Sequence, residues 1–404
     1  MFRVDRTICW TVALCMVACM GWAADQKSAP VQKPAASAKS VEPAAKKTEP
    51  DRFAVPEGTP QQLISYIKKL ITEPPRDEQT REQTRKMRAA ILTAANRILA
   101  GKPNEEEMEF GVQVKMNMIP PEELPAFAEE LKKGGFGKFA REVEGFRLQM
   151  GLQSSRMDGR DAMKKAIVAA VKFLEQAPPQ PADVSLAFLA GRLAELTGDD
   201  KLALETYQSL AKTFAASKDS RMAEFSKVLD GICRRLSLVG QEMKIEGKLL
   251  NGQPFQWSNF AGKVVLVDFW ATWCEPCLAE LPNLLNYYEL YHGKGFEIVG
   301  ISLDQRRADL EEFIKKNKIP WPIMFSDDSN NSTATYYGVL SVPMMILVGK
   351  DGRVVALNVR GPSLKKELEK LLGPVDAKDA PKNASSDQKK PVLQLKQKAA
   401  PEKP

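Results

Sequence analysis

The pattern of apolar residues changes at Gly240, and this change constrains the fold more than any other feature of the sequence. Residues 53–238 carry apolar residues three and four positions apart, which is the period of an amphipathic helix. After Gly240, short apolar runs typical of buried strands alternate with helical stretches, beginning with "KVVLVDFW" at 263–270. The sequence therefore predicts an all-α domain over 53–238 and an α/β domain over 240–373, whose mixed sheet is covered by helices on both faces.

Two capping boxes mark helix starts in the all-α domain. Thr59 with Gln62, and Asn104 with Glu107, place a capping side chain three residues before a reciprocal partner. Further helices are predicted over 77–100, 121–132, 138–150, 160–176, 182–197, 199–215 and 219–237. "AELTGDDKLALETYQSLAK" is similar to half of a tetratricopeptide repeat, but the pattern does not recur at that repeat's period. The domain is therefore expected to contain helix pairs that either bind another protein or only pack on their neighbour.

Turn and strand signals give the order of elements in the α/β domain. Asn251-Gly252 predicts a hairpin turn before the strand at 263–270. The elements predicted after it are helix 275–292, strand 296–302, helix 307–317, strand 322–325, helix 330–337, strand 344–349, strand 353–359 and helix 363–372.

The first 24 residues have the features of an export signal. Arg3 and Arg6 precede an apolar run, and the small residues Gly21 and Ala23 suit cleavage after Ala23. Lipidation at Cys19 and an uncleaved membrane anchor remain alternatives. The sequence therefore predicts a periplasmic or otherwise extracytoplasmic protein, in a compartment where disulfides persist.

The basic residues responsible for the net charge of +7 lie mostly in the two ends of the chain. Residues 25–52 and 374–404 are rich in Lys, Ala and Pro, and this composition predicts disorder. Because the middle of the chain is close to neutral, no nucleic-acid partner is expected. A closed zinc site needs about four Cys or His ligands. The chain has one histidine, His292, and three cysteines beyond the N-terminal segment, so neither a metal nor another cofactor is expected.

Cys274 and Cys277 lie where a buried strand leads into a helix. A helix N-terminus stabilises a thiolate, so we expect Cys274 to be the exposed, attacking sulfur and Cys277 the resolving one. Asp268 shares a strand face with apolar residues, which predicts burial, a raised pKa and proton exchange with Cys277. A disulfide that only stabilises the fold, and a solvent-facing Asp268, are the alternatives. Glu280 lies on the helix face of Cys277, but spacing alone does not distinguish it from a surface glutamate.

"GKVVLVDFWATWCEPCLAELP" resembles the thioredoxin superfamily, and most of all its TlpA/ResA branch of exported thiol–disulfide oxidoreductases. The resemblance extends over about 240–373, through "EIVGISLD", "YYGVLSVP" and "KDGRVVALNVRG". It implies a thioredoxin fold and a redox pair at Cys274 and Cys277. It also implies a cis-proline at Pro343, a substrate-binding backbone at Val342 and a substrate-facing aromatic at Trp273. Glu280 matches an acid typical of this branch.

The resemblance implies protein disulfides as substrates. Glu275 places a negative charge between the cysteines, which opposes the thiolate and favours a reductase or an isomerase over a strong oxidase. Such a reductase would receive electrons from a membrane thiol reductant. Met344 departs from the threonine common after the proline, and Asp268 from the asparagine frequent in exported relatives. The alternative function is a docking or scaffold protein whose helical domain binds a partner and whose thioredoxin-like domain is redox-passive.

Overall fold

The computed structural model describes residues 51–73, 80–325 and 333–375. The predicted export signal and most of the two predicted disordered segments lie outside the described residues. Contacts divide the chain into two compact units. The first contains the described residues up to Phe173 together with Ala182–Ala190, and the second contains Leu174–Pro181 and the described residues from Gly191 onward. The domain boundary near Gly240 stays a prediction.

The described residues before Val239 are mostly helical. Its helices are α1 (Pro60–Thr72), α2 (Thr80–Ala100), α3 (Glu105–Met118), α4 (Leu124–Lys133), α5 (Gly137–Asp158), α6 (Arg160–Glu175), α7 (Asp183–Leu196), α8 (Asp200–Ala215) and α9 (Ser220–Leu236). Both predicted capping boxes are present at the starts of α1 and α3. Helix α8 packs against α9 as a pair, and its assignment as a tetratricopeptide-type pair stays a prediction. None of the helices in the described ranges is long and apolar enough to cross a membrane.

Helix α5 is longer than the sequence predicted. It continues beyond residue 150 to Asp158, because Leu152 and Ser155 still face the interior of its unit. It ends at Gly159, whose φ of 95° lies in the left-handed region that favours glycine. Gln153, Ser154, Arg156 and Asp158 occupy the solvent-facing side of the last two turns.

The second unit contains a five-stranded mixed sheet. Its strands are β1 (Val264–Trp270), β2 (Phe296–Ser302), β3 (Ile323–Met324), β4 (Met344–Val348) and β5 (Val354–Leu357), in the order β3-β2-β1-β4-β5. The β1–β2 and β2–β3 pairs are parallel, and the β1–β4 and β4–β5 pairs are antiparallel. The helices between them are α10 (Glu275–Tyr291), α11 (Arg307–Asn317), α12 (Thr333–Tyr336) and α13 (Pro362–Leu372). The predicted α/β architecture is confirmed.

The central strand β1 is buried along its whole length and divides the core into two layers. Val264, Leu266 and Trp270 pack in the layer that also holds residues of α10 and α13. Val265, Val267 and Phe269 pack in the opposite layer, with Tyr337 and Met344. This alternation decides on which side of the sheet each functional side chain lies.

The predicted hairpin at Asn251-Gly252 is reduced to a single bridge. The turn is present, with Gly252 at a φ of 85° and its N–H donating to the Leu249 carbonyl. Only Lys248 and Pro254 pair across it. This bridge is formed by hydrogen bonds from the Leu249 N–H to the Gln253 carbonyl and from the Phe255 N–H to the Gly247 carbonyl. The chain at Leu249 and Leu250 also pairs with β3.

Candidate active site

Cys274 and Cys277 form a disulfide at the start of α10, with an S–S distance of 1.99 Å and a Cα–Cα distance of 5.2 Å. Cys274 is the N-cap residue of α10, and its Sγ accepts a hydrogen bond of 3.2 Å from the Cys277 N–H. Pro276 lies in the first turn, where its missing N–H costs no helical hydrogen bond. The Cys277 N–H, which has no partner within the helix, thus donates to the Cys274 sulfur. The same hydrogen bond stabilises the Cys274 thiolate once the disulfide is reduced.

Cys274 is less accessible than expected, whereas Cys277 is buried behind it as predicted. Cys274 is 4% exposed and Cys277 is 5% exposed, whereas Trp273 beside them is 66% exposed. The expectation that Cys274 is exposed is wrong for the disulfide form, because its side chain packs in the apolar layer that contains Trp270. Trp273 is therefore the most exposed apolar side chain of this segment.

Asp268 is buried on the same face of β1 as the apolar layer that contains the cysteines. Its Oδ1 has no hydrogen-bond partner among the described residues. Burial, and then the negative charge of Glu280, raise the pKa of Asp268 to about 7. The predicted burial and raised pKa are confirmed. A carboxyl group with this pKa can hold or release a proton near neutral pH.

Glu280 connects α10 to the start of α13. Its Oε1 accepts a 2.7 Å hydrogen bond from the Gly361 N–H, and its Oε2 accepts a 3.1 Å bond from the Asn283 amide. The Gly361 carbonyl in turn accepts a 3.2 Å bond from the Tyr287 hydroxyl. Glu280 is therefore held by defined partners, and its negative charge acts on Asp268 from a fixed position.

Val342 and Pro343 lie at the end of the sheet where the cysteines are. The peptide bond between them is cis, the isomer that the resemblance implies, and both residues are half-buried. Strand β4 begins at the next residue, Met344, which pairs with Phe269 near the end of β1. Because β1 runs on toward Cys274 and the two strands are antiparallel, Pro343 is brought to the same edge as the disulfide.

Sequence reasoning missed a buried carboxylate, Asp304, that fixes the segment before the cysteines. Both of its oxygens lie 3.1 Å from the Thr272 N–H, and Oδ1 accepts a 2.5 Å bond from the Thr272 hydroxyl. Oδ2 also accepts a 2.8 Å bond from the Ser302 hydroxyl. Asp304 thereby ties the loop after β1 to the end of β2. The available signal was the polar "SLD" directly after a buried strand.

No group of three or more His, Cys, Asp or Glu side chains that could hold a metal ion occurs among the described residues.

Comparison with known proteins places this site in a family. The family model described as Redoxin matches residues 238–372. The thiol-disulfide oxidoreductase ResA of Bacillus thuringiensis subsp. konkukian is 32% identical over 123 residues, which cover 30% of this chain and 69% of that protein. The chain belongs to the ResA-like branch of the thioredoxin superfamily.

Two further proteins are similar to parts of this chain. ResA of Bacillus subtilis is 31% identical over 105 residues, which cover 26% of this chain and 58% of that protein. The thioredoxin domain of a thiol-disulfide oxidoreductase from Bacteroides vulgatus is 34% identical, with a TM-score of 0.31, over 33% of this chain and 97% of that chain. The ResA-like chain is a thioredoxin-like protein disulfide oxidoreductase with a thioredoxin fold at its C-terminal end. The Redoxin match begins at residue 238 and so leaves out helices α1–α9.

Proposed function

We propose that this ResA-like protein reduces disulfide bonds of exported proteins and that Cys274 and Cys277 are its redox pair. The observation that carries the proposal is the disulfide between them at a helix N-terminus, with the Cys277 N–H directed at the Cys274 sulfur. A position of this kind lowers the pKa of a thiol and makes its sulfur a better nucleophile at neutral pH. The same pair used only to stabilise the fold would need neither the helix start nor a buried acid behind it.

The reaction begins with both cysteines reduced. The Cys274 thiolate attacks one sulfur of the substrate disulfide, a mixed disulfide forms, and the other substrate sulfur leaves as a thiolate that takes a proton from water. Asp268, as a carboxylate, accepts the proton of the Cys277 thiol. The Cys277 thiolate then attacks the Cys274 sulfur, and the second substrate sulfur leaves and takes up a proton. The substrate gains two electrons and two protons, and the enzyme ends with the Cys274–Cys277 disulfide.

The protein substrate contacts two places beside the disulfide, Trp273 on one side and Val342 on the other. Trp273, which is two-thirds exposed, supplies apolar surface for the substrate chain next to the reacting sulfur. Val342 supplies backbone groups at the sheet edge, where an extended substrate segment can pair as an added short strand. Pro343 holds this segment facing the cysteines. Glu280 acts on the chemistry through its charge beside Asp268.

Glu275 supports reduction as the direction of electron flow. This residue is exposed in the first turn of α10, and its negative charge partly offsets the thiolate stabilisation by the helix start. A less stabilised thiolate makes the disulfide a weaker oxidant, which favours reduction of substrates. The enzyme would then be reduced again by a membrane thiol reductant. A redox-passive docking or scaffold protein is not favoured, because the matched relatives are named thiol-disulfide oxidoreductases.

Reduction of insulin disulfides by the full chain, with a chemical thiol as electron source, tests the proposal. Thiol labelling after reduction should detect two thiols more than before reduction. Cys274→Ser should abolish the catalysed rate, while Cys233→Ser, at the free and half-buried cysteine of α9, should leave it unchanged. Insulin reduction that survives Cys274→Ser would show that the assignment is wrong.

Export is part of the proposal and has its own test. The Arg3–Ala23 segment should direct the chain out of the cytoplasm, and the N-terminus of the protein recovered from that compartment should begin at Ala24 if the signal is cleaved. Recovery of a lipid-modified Cys19, or of the intact N-terminus in the membrane fraction, would identify one of the two anchored forms. Recovery of the protein only from the cytoplasm would contradict export.

A further inference from the structure

Helix α9 contacts the segment that leads to Pro343. Gly231 of α9 lies against the backbone of Gly338, and a Cβ added to Gly231 would be only 2.7 Å from the Gly338 nitrogen. The guanidinium of Arg234 lies 4.0 Å from the ring centre of Tyr336 and donates a hydrogen bond to the Tyr336 carbonyl. Pro343 follows Gly338 by five positions along the chain. Helix α9 therefore packs at backbone distance on the chain that carries the proposed substrate-binding residues.

A buried ion pair reaches the end of the same segment. Arg235 is 2% exposed, and both of its terminal nitrogens donate 3.2 Å hydrogen bonds to Oε2 of Glu195 on α7. The other oxygen of Glu195 accepts a 2.9 Å bond from the hydroxyl of Tyr207 on α8, whose ring fits against Gly191. One terminal nitrogen of Arg235 also lies 4.0 Å from the sulfur of Met344. Three helices thus form a charged network that ends at the first residue of β4.

The energetics of the Arg235–Glu195 pair indicate that it positions neighbouring groups rather than stabilises the fold. Removing two charges from water costs about as much as their attraction returns, so apolar residues of similar volume serve a core equally well. An arginine that binds a carboxylate through two nitrogens also fixes direction and distance, which an apolar contact does not. We propose that Arg235, held by Glu195, is a positioning residue that sets the place of Val342–Met344 and so the affinity for protein substrates. This inference rests on the proposed function.

The network lies on the opposite side of the sheet from the reacting sulfurs. Met344 packs with Phe269 and Val267 in one layer, whereas Cys274 and Cys277 pack in the other. A displacement of Met344 should therefore change the edge where a protein substrate binds and leave the thiol chemistry as it is. This separation predicts different effects on large and small disulfide substrates.

The test is the double variant Glu195→Gln/Arg235→Met in the full chain. Both charges are removed together, because one buried charge left alone would destabilise the protein strongly. Glutamine keeps an acceptor for the Tyr207 hydroxyl, and methionine keeps most of the arginine volume. The matched control is Arg221→Met on the same helix, where the arginine is exposed and pairs with Asp219. The readouts are KM and kcat for insulin, the rate with a small aromatic disulfide, and thermal unfolding.

The double variant should keep a cooperative unfolding transition and show KM for insulin raised about tenfold, since small displacements of binding groups can cost up to about a hundredfold. Its kcat and its rate with the small disulfide should match those of the wild type and of Arg221→Met. Unchanged KM, or an equal loss with both substrates, would overturn the inference while leaving the proposed function in place. A wild-type protein inactive on insulin would instead refute the proposed function. If the double variant does not fold, KM for insulin is measured with Arg235→Lys instead, because lysine keeps the positive charge and loses the two-nitrogen geometry. A KM equal to that of the wild type would then overturn the inference.

Discussion

Replacing Asp268 by Asn should change the pH dependence of stability by a calculable amount. The pKa of Asp268 rises from an ordinary value of 3.8 to about 7 in the folded protein. Between these two values the folded state holds a proton that the unfolded state has released, so the free energy of unfolding falls as pH rises through this range. A difference of about three pH units, at ~1.4 kcal/mol per unit, corresponds to roughly 4 kcal/mol. This stability is fully present below about pH 4 and is lost above about pH 7.

The assay compares urea unfolding of the oxidised wild type and Asp268→Asn at several pH values from 4 to 8.5. Tryptophan fluorescence reports on the relevant unit, because the tryptophans of the described residues all lie within 257–321. Asn stays neutral throughout, so the variant should gain roughly 4 kcal/mol relative to the wild type between pH 4 and pH 8. Asp230→Asn, at an exposed position of α9, controls for the substitution itself. A stability difference that is the same at every pH would refute the buried, protonated carboxyl group.

The same variant also tests the proposed role in catalysis. Without a carboxylate to accept the Cys277 proton, resolution of the mixed disulfide should slow, and the rate of thiol–disulfide exchange should lose its dependence on a group that titrates near pH 7. An exchange rate equal to that of the wild type from pH 6 to 9, a range around the ordinary thiol pKa of about 8.5, would show that Asp268 takes no part in proton transfer.

Three further variants test the packing and charge in the second unit, and a fourth, in α5, serves as a comparison. Gly231→Ala should destabilise the protein by about 1–3 kcal/mol in urea unfolding, because its Cβ meets backbone, whereas Gly151→Ala, in open space within α5, should stabilise it by up to about 1 kcal/mol. Asp304→Ala should cost about 1–3 kcal/mol in the same assay, since it leaves the half-buried N–H and hydroxyl of Thr272 without their charged acceptor. Glu275→Gln removes a negative charge beside Cys274 and should increase the amount of thiolate in the reduced protein at neutral pH, measured by thiolate absorbance. Effects of opposite sign would contradict the respective contacts.

Local signals in the sequence predicted much of the fold. The capping side chains at Thr59 and Asn104 form the expected hydrogen bonds, because a cap depends only on residues within one turn. Alternation along β1 placed Asp268 in the interior, since neighbours on a strand alternate in direction whatever the rest of the fold. The mixed sheet followed from the alternation of strands and helices.

The contacts that the sequence did not reveal join distant residues. Glu280 bonds to Gly361, 81 residues away, and no periodic pattern connects the two. In the sequence, Arg235 is one of two arginines at the end of an amphipathic helix, a pattern typical of surface residues. In the structure it is buried and forms an ion pair with Glu195. Cys274 is buried in the disulfide form. The sequence did not predict this burial, because the spacing of two cysteines does not tell which redox state the structure shows.

Trapping the mixed disulfide tests the central claim most directly. With the resolving sulfur removed in Cys277→Ser, a protein substrate attacked by Cys274 should stay attached, and intact mass spectrometry should show an adduct that a small thiol reductant releases. Peptide mapping should place the bond at Cys274, and Cys274→Ser should form no such adduct. An adduct at Cys233, or an adduct that forms with Cys274→Ser and not with Cys277→Ser, would contradict the account.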